Sequence, residues 1–316
     1  MPFLFAGLVF LAMASSSGAQ SLSFVRFEVD NDYFDFWQRG TRRTDDNYTH
    51  GARLDALVLN VPRWLRGHAD LCTTEEVKSC VMAPVSIVQQ VFTPRYDTPP
   101  ETDRPYAGVL FVDIGRSAMT ERRSLTPSIK LGTTGRASGG KAVQQFMHDL
   151  NKSGRVFHWE HEIAQQLVAN GTYDARFLIA QSQRASGRVM SLTAGARATA
   201  GTLESGASAG VELRVGHRLV HPWLPLADAN RRKSRAFVML GAEPQWIARS
   251  LVLDGNSAET RDLVTRKPFV FQWVAGGGYG YGRFMAEYRA TSRSREYDEG
   301  PKWHRWGTLG ITYTVR

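Results

Sequence analysis

The sequence predicts an all-β fold, a twelve-stranded antiparallel barrel that crosses a membrane. Three observations point there. Short stretches alternate apolar and charged residues at the period of a strand, many run past the roughly five or six residues usual in soluble sheets, and aromatics gather near their ends.

The alternation opens at Val25, Phe27 and Val29, which oppose Arg26, Glu28 and Asp30. Ala52, Leu54, Ala56 and Val58 then oppose Thr49, Arg53 and Asp55, and the last run sets Leu309, Ile311, Tyr313 and Val315 against threonines. The charged faces carry both signs, as ion pairs across a narrow wet lumen require, so the apolar faces are read as outward. Turn signals such as Ser186-Gly187 and Asp254-Gly255 separate candidate strands near 22–30, 48–59, 85–93, 106–116, 123–133 and 161–181. The others fall near 187–201, 206–218, 235–254, 268–281, 283–293 and 305–315. Trp159, Trp223, Trp246, Trp303, Trp306, Tyr279 and Tyr281 are read as interfacial girdles. Gly276, Gly278, Gly280 and Gly282 share one parity, which predicts either a bare strip of wall open to a loop or ligand, or a strand bend.

Ahead of the strands, Phe3 to Ala14 is an apolar run too short to cross a bilayer as a helix, followed by small residues to Ala19. Residues 1–19 are read as an export signal and 20–316 as one barrel domain. The net charge of +9 suits an anionic partner, a phosphorylated lipid or a membrane surface; export argues against nucleic acid. The expectation is a monomer. The two cysteines, Cys72 and Cys80, lie in a polar loop over 60–84 and are read as a disulfide that staples it, since a pair alone is too few for a metal site.

One segment breaks the strand period. Val143, Phe146, Met147 and Leu150 recur at helical spacing, with Lys141, Gln144, His148 and Asn151 on the polar side. A short helix over about 139–151 follows, capped by Ser138-Gly139-Gly140 and ended before Gly154. It is expected at the lumen or rim, anchored by its apolar stripe, with Gln144 four residues from His148 on the working face.

Three further stretches carry oxygens or a charge. Asp30-Asn31-Asp32 closes the first strand with hard donors that suit Ca2+ or simply form a turn. Thr49 shares the parity of Arg53 and Asp55, which puts it in the lumen. Arg104, in Asp103-Arg104-Pro105-Tyr106-Ala107-Gly108, supplies a positive charge at a rim or site, or only a turn into a strand. Gly206-Ala207-Ser208-Ala209-Gly210 fits the serine-hydrolase pattern G-x-S-x-G, but no helix follows, so the motif is set aside.

Taken together, "DNDYF" (30–34), "TDDNYTHGARL" (44–54), "DRPYAGVLFVDIG" (103–115), "LGTTGRASGG…VQQFMHDL" (131–150), "SREYDEG" and the closing "WGTLGITYTV" resemble the outer-membrane lipid A 3′-O-deacylase family. The blocks are in family order and span nearly the whole chain. The resemblance implies a barrel with a lumenal site that opens towards the outer leaflet and removes the 3′-acyloxyacyl group of lipid A by Ca2+-dependent ester hydrolysis. Carried over position by position, it implies Asn31 and Asp32 as metal ligands, Thr49, Gln144 and His148 as further site residues, and Arg104 as a weaker substrate contact. His148 would then be the general base. Lipopolysaccharide and the surrounding outer-membrane lipids are the partners implied. The chain departs from the family in ending on Arg316 rather than an aromatic, and in the His- and Glu-rich stretch 157–162. The rival readings are an outer-membrane phospholipase, a barrel without activity, and a soluble secreted β-protein.

Overall fold

The computed structural model describes residues 22–36, 47–59, 61–67, 69–70, 79–95, 102–151, 158–183, 188–218, 222–223 and 233–315. The predicted signal segment, Cys72 and Arg316 lie outside the described residues.

Among the described residues the strands are β1 (Leu22–Asn31), β2 (Asn47–Val58), β3 (Ser79–Thr93), β4 (Ala107–Gly115), β5 (Ser117–Thr120), β6 (Arg123–Thr134) and β7 (Leu167–Gln183). They continue as β8 (Arg188–Gly201), β9 (Glu204–His217), β10 (Ser234–Ser250), β11 (Phe269–Tyr281), β12 (Phe284–Ser294) and β13 (Trp303–Thr314). Three helices join them: α1 (Arg63–Arg66), α2 (Gly140–Asn151) and α3 (Leu251–Asp254). Every strand pairs antiparallel with its neighbours, and β1 bonds to both β2 and β13, so the sheet closes. β4 and β5 both pair with β3 and β6 and are parted only by Arg116, so they form one wall strand. The wall therefore has twelve strands.

Several predicted boundaries move. β3 starts at Ser79, so Cys80 lies in the wall rather than in a loop. It is disulfide-bonded and buried among Leu57, Leu59, Met82 and Met119. β7 starts at Leu167 because Trp159–His161 makes a 3-10 turn ahead of it. The G-x-S-x-G match lies wholly within β9.

Alternation sorts the faces as predicted. Phe27, Ile129, Leu131, Leu213, Val238 and Ile311 are exposed on the outside. Inside, Arg26 pairs with Glu28 and Glu287 at 2.5 Å each, and Arg53 with Asp55 at 2.6 Å. Lipid requires that arrangement, because a closed barrel leaves no backbone group unpaired and ion pairs keep the charges inside. Trp246, Phe269 and Trp303 ring one end on the outside, and Tyr279, Tyr281, Phe284 and Tyr313 the other. Trp159, Trp223 and Trp306 do not belong to these girdles; each is buried. The glycine strip is not bare either. Side chains at Gly276, Gly278 and Gly280 would strike Arg289, Phe237 and Arg235, which lie across the wall from neighbouring strands.

At the end opposite the termini the lumen is filled. The Tyr297 hydroxyl lies 2.5 Å from Asp103 Oδ1 and 2.9 Å from Asn47 Oδ1, while Arg95 donates to Asp103 Oδ2. Arg104 is 0% exposed; its guanidinium bonds to Glu296 and the Val252 carbonyl and lies over the Phe92 ring. Burial opposes ionisation of Glu296, but the charges of Arg293 and Arg104 outweigh it and hold its carboxyl below the usual range. Burial and the neighbouring Asp103 push the Tyr297 phenol up, so it stays a donor.

Candidate active site

One row of paired residues crosses four strands just below this filled end: Asn31 of β1, His50 of β2, Val91 of β3 and Gly108 of β4. At about 4.8 Å per strand the row spans about 15 Å. Its direction follows from alternation. Arg26, Glu28 and Asp30 point into the lumen, so Asn31 points out; Val109 and Phe111 point in, so Gly108 faces out. Inward Phe111 is confirmed by Lys130, which lies over its ring and pairs with lumenal Glu204.

Helix α2 sits on this outer surface. Gln89, on the outward face of β3, donates from Nε2 to the Ser138 carbonyl at 2.6 Å. Ser138 Oγ in turn accepts from Gly140 N at 3.2 Å and caps the helix. Gly108 and Gly140 meet backbone to backbone: a Cβ on Gly108 would lie 2.1 Å from Ser138 Oγ and 3.0 Å from Gly140 Cα. Gly139, at φ 72°, makes the left-handed step that turns the chain into the helix. Trp159 closes the seat by packing at a tilt against Tyr106, ring centroids 5.2 Å apart, and donating from Nε1 to Gln144 Oε1 at 2.7 Å. That bond fixes the amide, so Nε2 is the donor that Gln144 can offer.

Of the two places expected for the helix, lumen or rim, it takes the rim; the lumenal site is corrected, because the helix docks outside the wall. The apolar stripe is not its main anchor, since Val143 and Met147 are only half-buried and Phe146 is 59% and Leu150 62% exposed, whereas Gln144 is 5% exposed. Glycine contact and buried polar bonds hold the helix instead. Thr49 is likewise not lumenal. The register shifts between Tyr48 and His50, and this bulge reverses the parity beyond it. Tyr48 turns inward and donates to Asp30 Oδ2, while Thr49 meets Thr93 at 2.7 Å on the outward side. Asn31, Thr49 and the helix bearing Gln144 and His148 therefore share one outer face at one rim. Arg104 lies elsewhere, locked in the lumenal plug.

Asn31 ends β1 and caps the 3-10 turn Asp32–Phe34, accepting Tyr33 N–H at 2.8 Å. Asp32 is buried on that turn. Both offer hard oxygens, and the Asn31 carbonyl keeps a second lone pair, so the donors suit Ca2+ in kind. Among the described residues no group of three or more His, Cys, Asp or Glu side chains forms, so Asn31 and Asp32 are the donors that this rim offers by side-chain type. The His- and Glu-rich stretch adds no such site; His158 and Glu160 are exposed.

Glu162 enters the sequence reading only as part of the His- and Glu-rich stretch 157–162. A bridge to Tyr106 sets it beside β4. Burial pushes its carboxyl up to about 7, against the Gly108 N–H and the charges of Arg136 and Lys141, which favour the anion. Its spacing carries no signal that would have found it. Gln89 carries no signal either, and Trp159 reads only as a girdle residue, because their partners are distant in sequence.

A family model described as outer membrane protein LpxR matches residues 3–315. The chain belongs to the LpxR family. It is an outer-membrane β-barrel, and the family's solved fold agrees with it. LpxR from Salmonella typhimurium superposes with a TM-score of 0.75 at 15% identity, covering 92% of this chain and 100% of that one. The COG4313 outer membrane channel from Pseudomonas putida F1 gives 0.48 at 8% identity, covering 93% and 95%. No curated protein sequence matches the chain.

Proposed function

We propose that the protein is a lipid A deacylase that removes the 3′-acyloxyacyl group by Ca2+-dependent ester hydrolysis. Family membership supports the reading, and one observation carries it: Asn31, Thr49 and the helix that bears Gln144 and His148 share the lipid-facing side of the wall at one rim. An ester held in the outer leaflet reaches that face without entering the lumen, provided the long-loop end of the barrel faces the cell exterior.

In this reading His148 takes a proton from the attacking water. Gln144, held by Trp159, orients the imidazole or that water through Nε2. Asp32 and Asn31 hold the Ca2+, which when bound supplies Lewis-acid polarisation of the ester carbonyl. Thr49 orients the substrate by hydrogen bonding. The basic excess draws phosphorylated lipid towards the barrel. A channel is disfavoured by the buried Arg104–Glu296 and Tyr297–Asp103 contacts that fill the lumen at one end.

The test is mass spectrometry of lipid A from cells that express the protein. Loss of the 3′-acyloxyacyl mass, abolished by chelator and by His148→Ala, is expected. Unchanged lipid A despite a heat-modifiable, folded barrel and added Ca2+ would sink the proposal. Fatty acid released from glycerophospholipid instead would favour a phospholipase.

A further inference from the structure

Helix α2 is turned the wrong way round for a helix in water. At 100° per residue, Phe146 and Leu150 lie 40° apart, and Gln144 and His148 lie on the opposite side. The side opposite the apolar pair holds buried Gln144 and meets the wall; Phe146 and Leu150 face outward and are well exposed. A helix on a soluble protein buries such a stripe. Here the surface below it is the apolar belt: Ile129 and Leu131 on β6, and Leu167 where β7 begins, are all exposed. Leu131 pairs with Val112 on β4, the strand on which the helix docks through Gly108, so the exposed stripe continues the belt towards the rim. Lys141 and Asp149, also exposed, lie off the stripe.

We propose that α2 is an interfacial helix, with Phe146 and Leu150 immersed among the acyl chains of the outer leaflet and its polar edge at the headgroups. The occupant is bulk membrane lipid, argued from continuity with the belt that already faces it. The inference rests on the outer-membrane location and not on the hydrolytic reading, so either can fail alone. If both stand, the helix sets the depth at which His148 meets an ester: the acyl–headgroup boundary, where the ester bonds of a membrane lipid lie.

Spin labels test this directly. Phe146→Cys, Leu150→Cys, Asp149→Cys, Lys141→Cys and the belt control Ile129→Cys are labelled without reductant, which leaves the bonded Cys80 unreactive. The full-length variants are reconstituted in phosphatidylethanolamine–phosphatidylglycerol bilayers, and collision with oxygen is compared with collision with a water-soluble nickel chelate. Labels at 146 and 150 are expected to match 129, favouring oxygen, while 141 and 149 favour nickel. Oxygen-to-nickel ratios at both 146 and 150 closer to that at 149 than to that at 129 overturn the proposal. Two stripe positions keep the test decisive if one variant fails to fold.

Discussion

Replacing Gly108 with alanine should push the helix off the wall. The new methyl would meet Ser138 Oγ at 2.1 Å, Gly140 Cα at 3.0 Å and Gly140 N at 3.1 Å. Ordinary contact begins near 3.4 Å, so Ser138 must move by more than an ångström. It has little room, being buried and engaged through its hydroxyl and its carbonyl. Overpacking of this kind costs about 1–3 kcal/mol, and a catalytic group misplaced by about 1 Å loses about a hundredfold in rate. Deacylation should therefore fall about 10- to 100-fold while the barrel still runs as a folded species on an unheated gel. Ser138→Ala alone forfeits the cap, about 1 kcal/mol. In the double variant the 2.1 Å clash is gone, and the backbone contacts at 3.0 and 3.1 Å remain. Gly108→Ala/Ser138→Ala should thus be more active than Gly108→Ala. Activities that multiply as independent losses, or a fully active Gly108→Ala, would refute the glycine seat.

Two further outcomes follow from the buried groups. Arg104→Ala should leave buried Glu296 with Arg293 alone, a loss below the roughly 3–5 kcal/mol of a fully unpaired buried charge, and lower the temperature at which the barrel unfolds on gels; Arg104→Lys, which keeps the charge, should lose less. An equal loss in both would mean that the ion pair is not what matters. Glu162 binds its proton more tightly in the folded chain than unfolded, since its carboxyl rises from 4.5 to about 7. Folding then costs nothing extra below about 4.5 and progressively more as pH rises to about 7, so protection of the α2 amides, corrected for intrinsic exchange, should decline across that window and level off above it. Glu162→Gln should abolish the decline; the same slope in both proteins would exclude Glu162 as its source.

Strand number and faces were legible because period-two alternation is local: Phe27 beside Glu28 already tells outside from inside once a membrane is assumed. The helix and its Gln144–His148 pair were legible for the same reason at period 3.6. The side of the wall that the helix occupies was not, because it depends on Gln89 and Ser138, 49 residues apart, and on two glycines with no side chain to read. Arg104 misled because a charged residue after a polar turn looks exposed; Glu296 from the loop between β12 and β13, the Val252 carbonyl and the Phe92 ring of β3 make its burial tolerable. Trp159 looked like a girdle residue and is instead the hydrogen-bond donor that positions Gln144.

The Thr49 bulge has a consequence for how such walls can be read. Along β2, lumenal side chains occupy odd positions through Arg53 and Gly51, then switch to even at Tyr48. A single extra residue has inverted the phase of the pattern, and it is this inversion that turns a hydroxyl to the lipid side. With regular pairing instead of the bulge, Thr49, two residues from inward Gly51, would face the lumen. In a lipid-bounded barrel, a place where the alternation skips a beat is where outward chemistry can be sought.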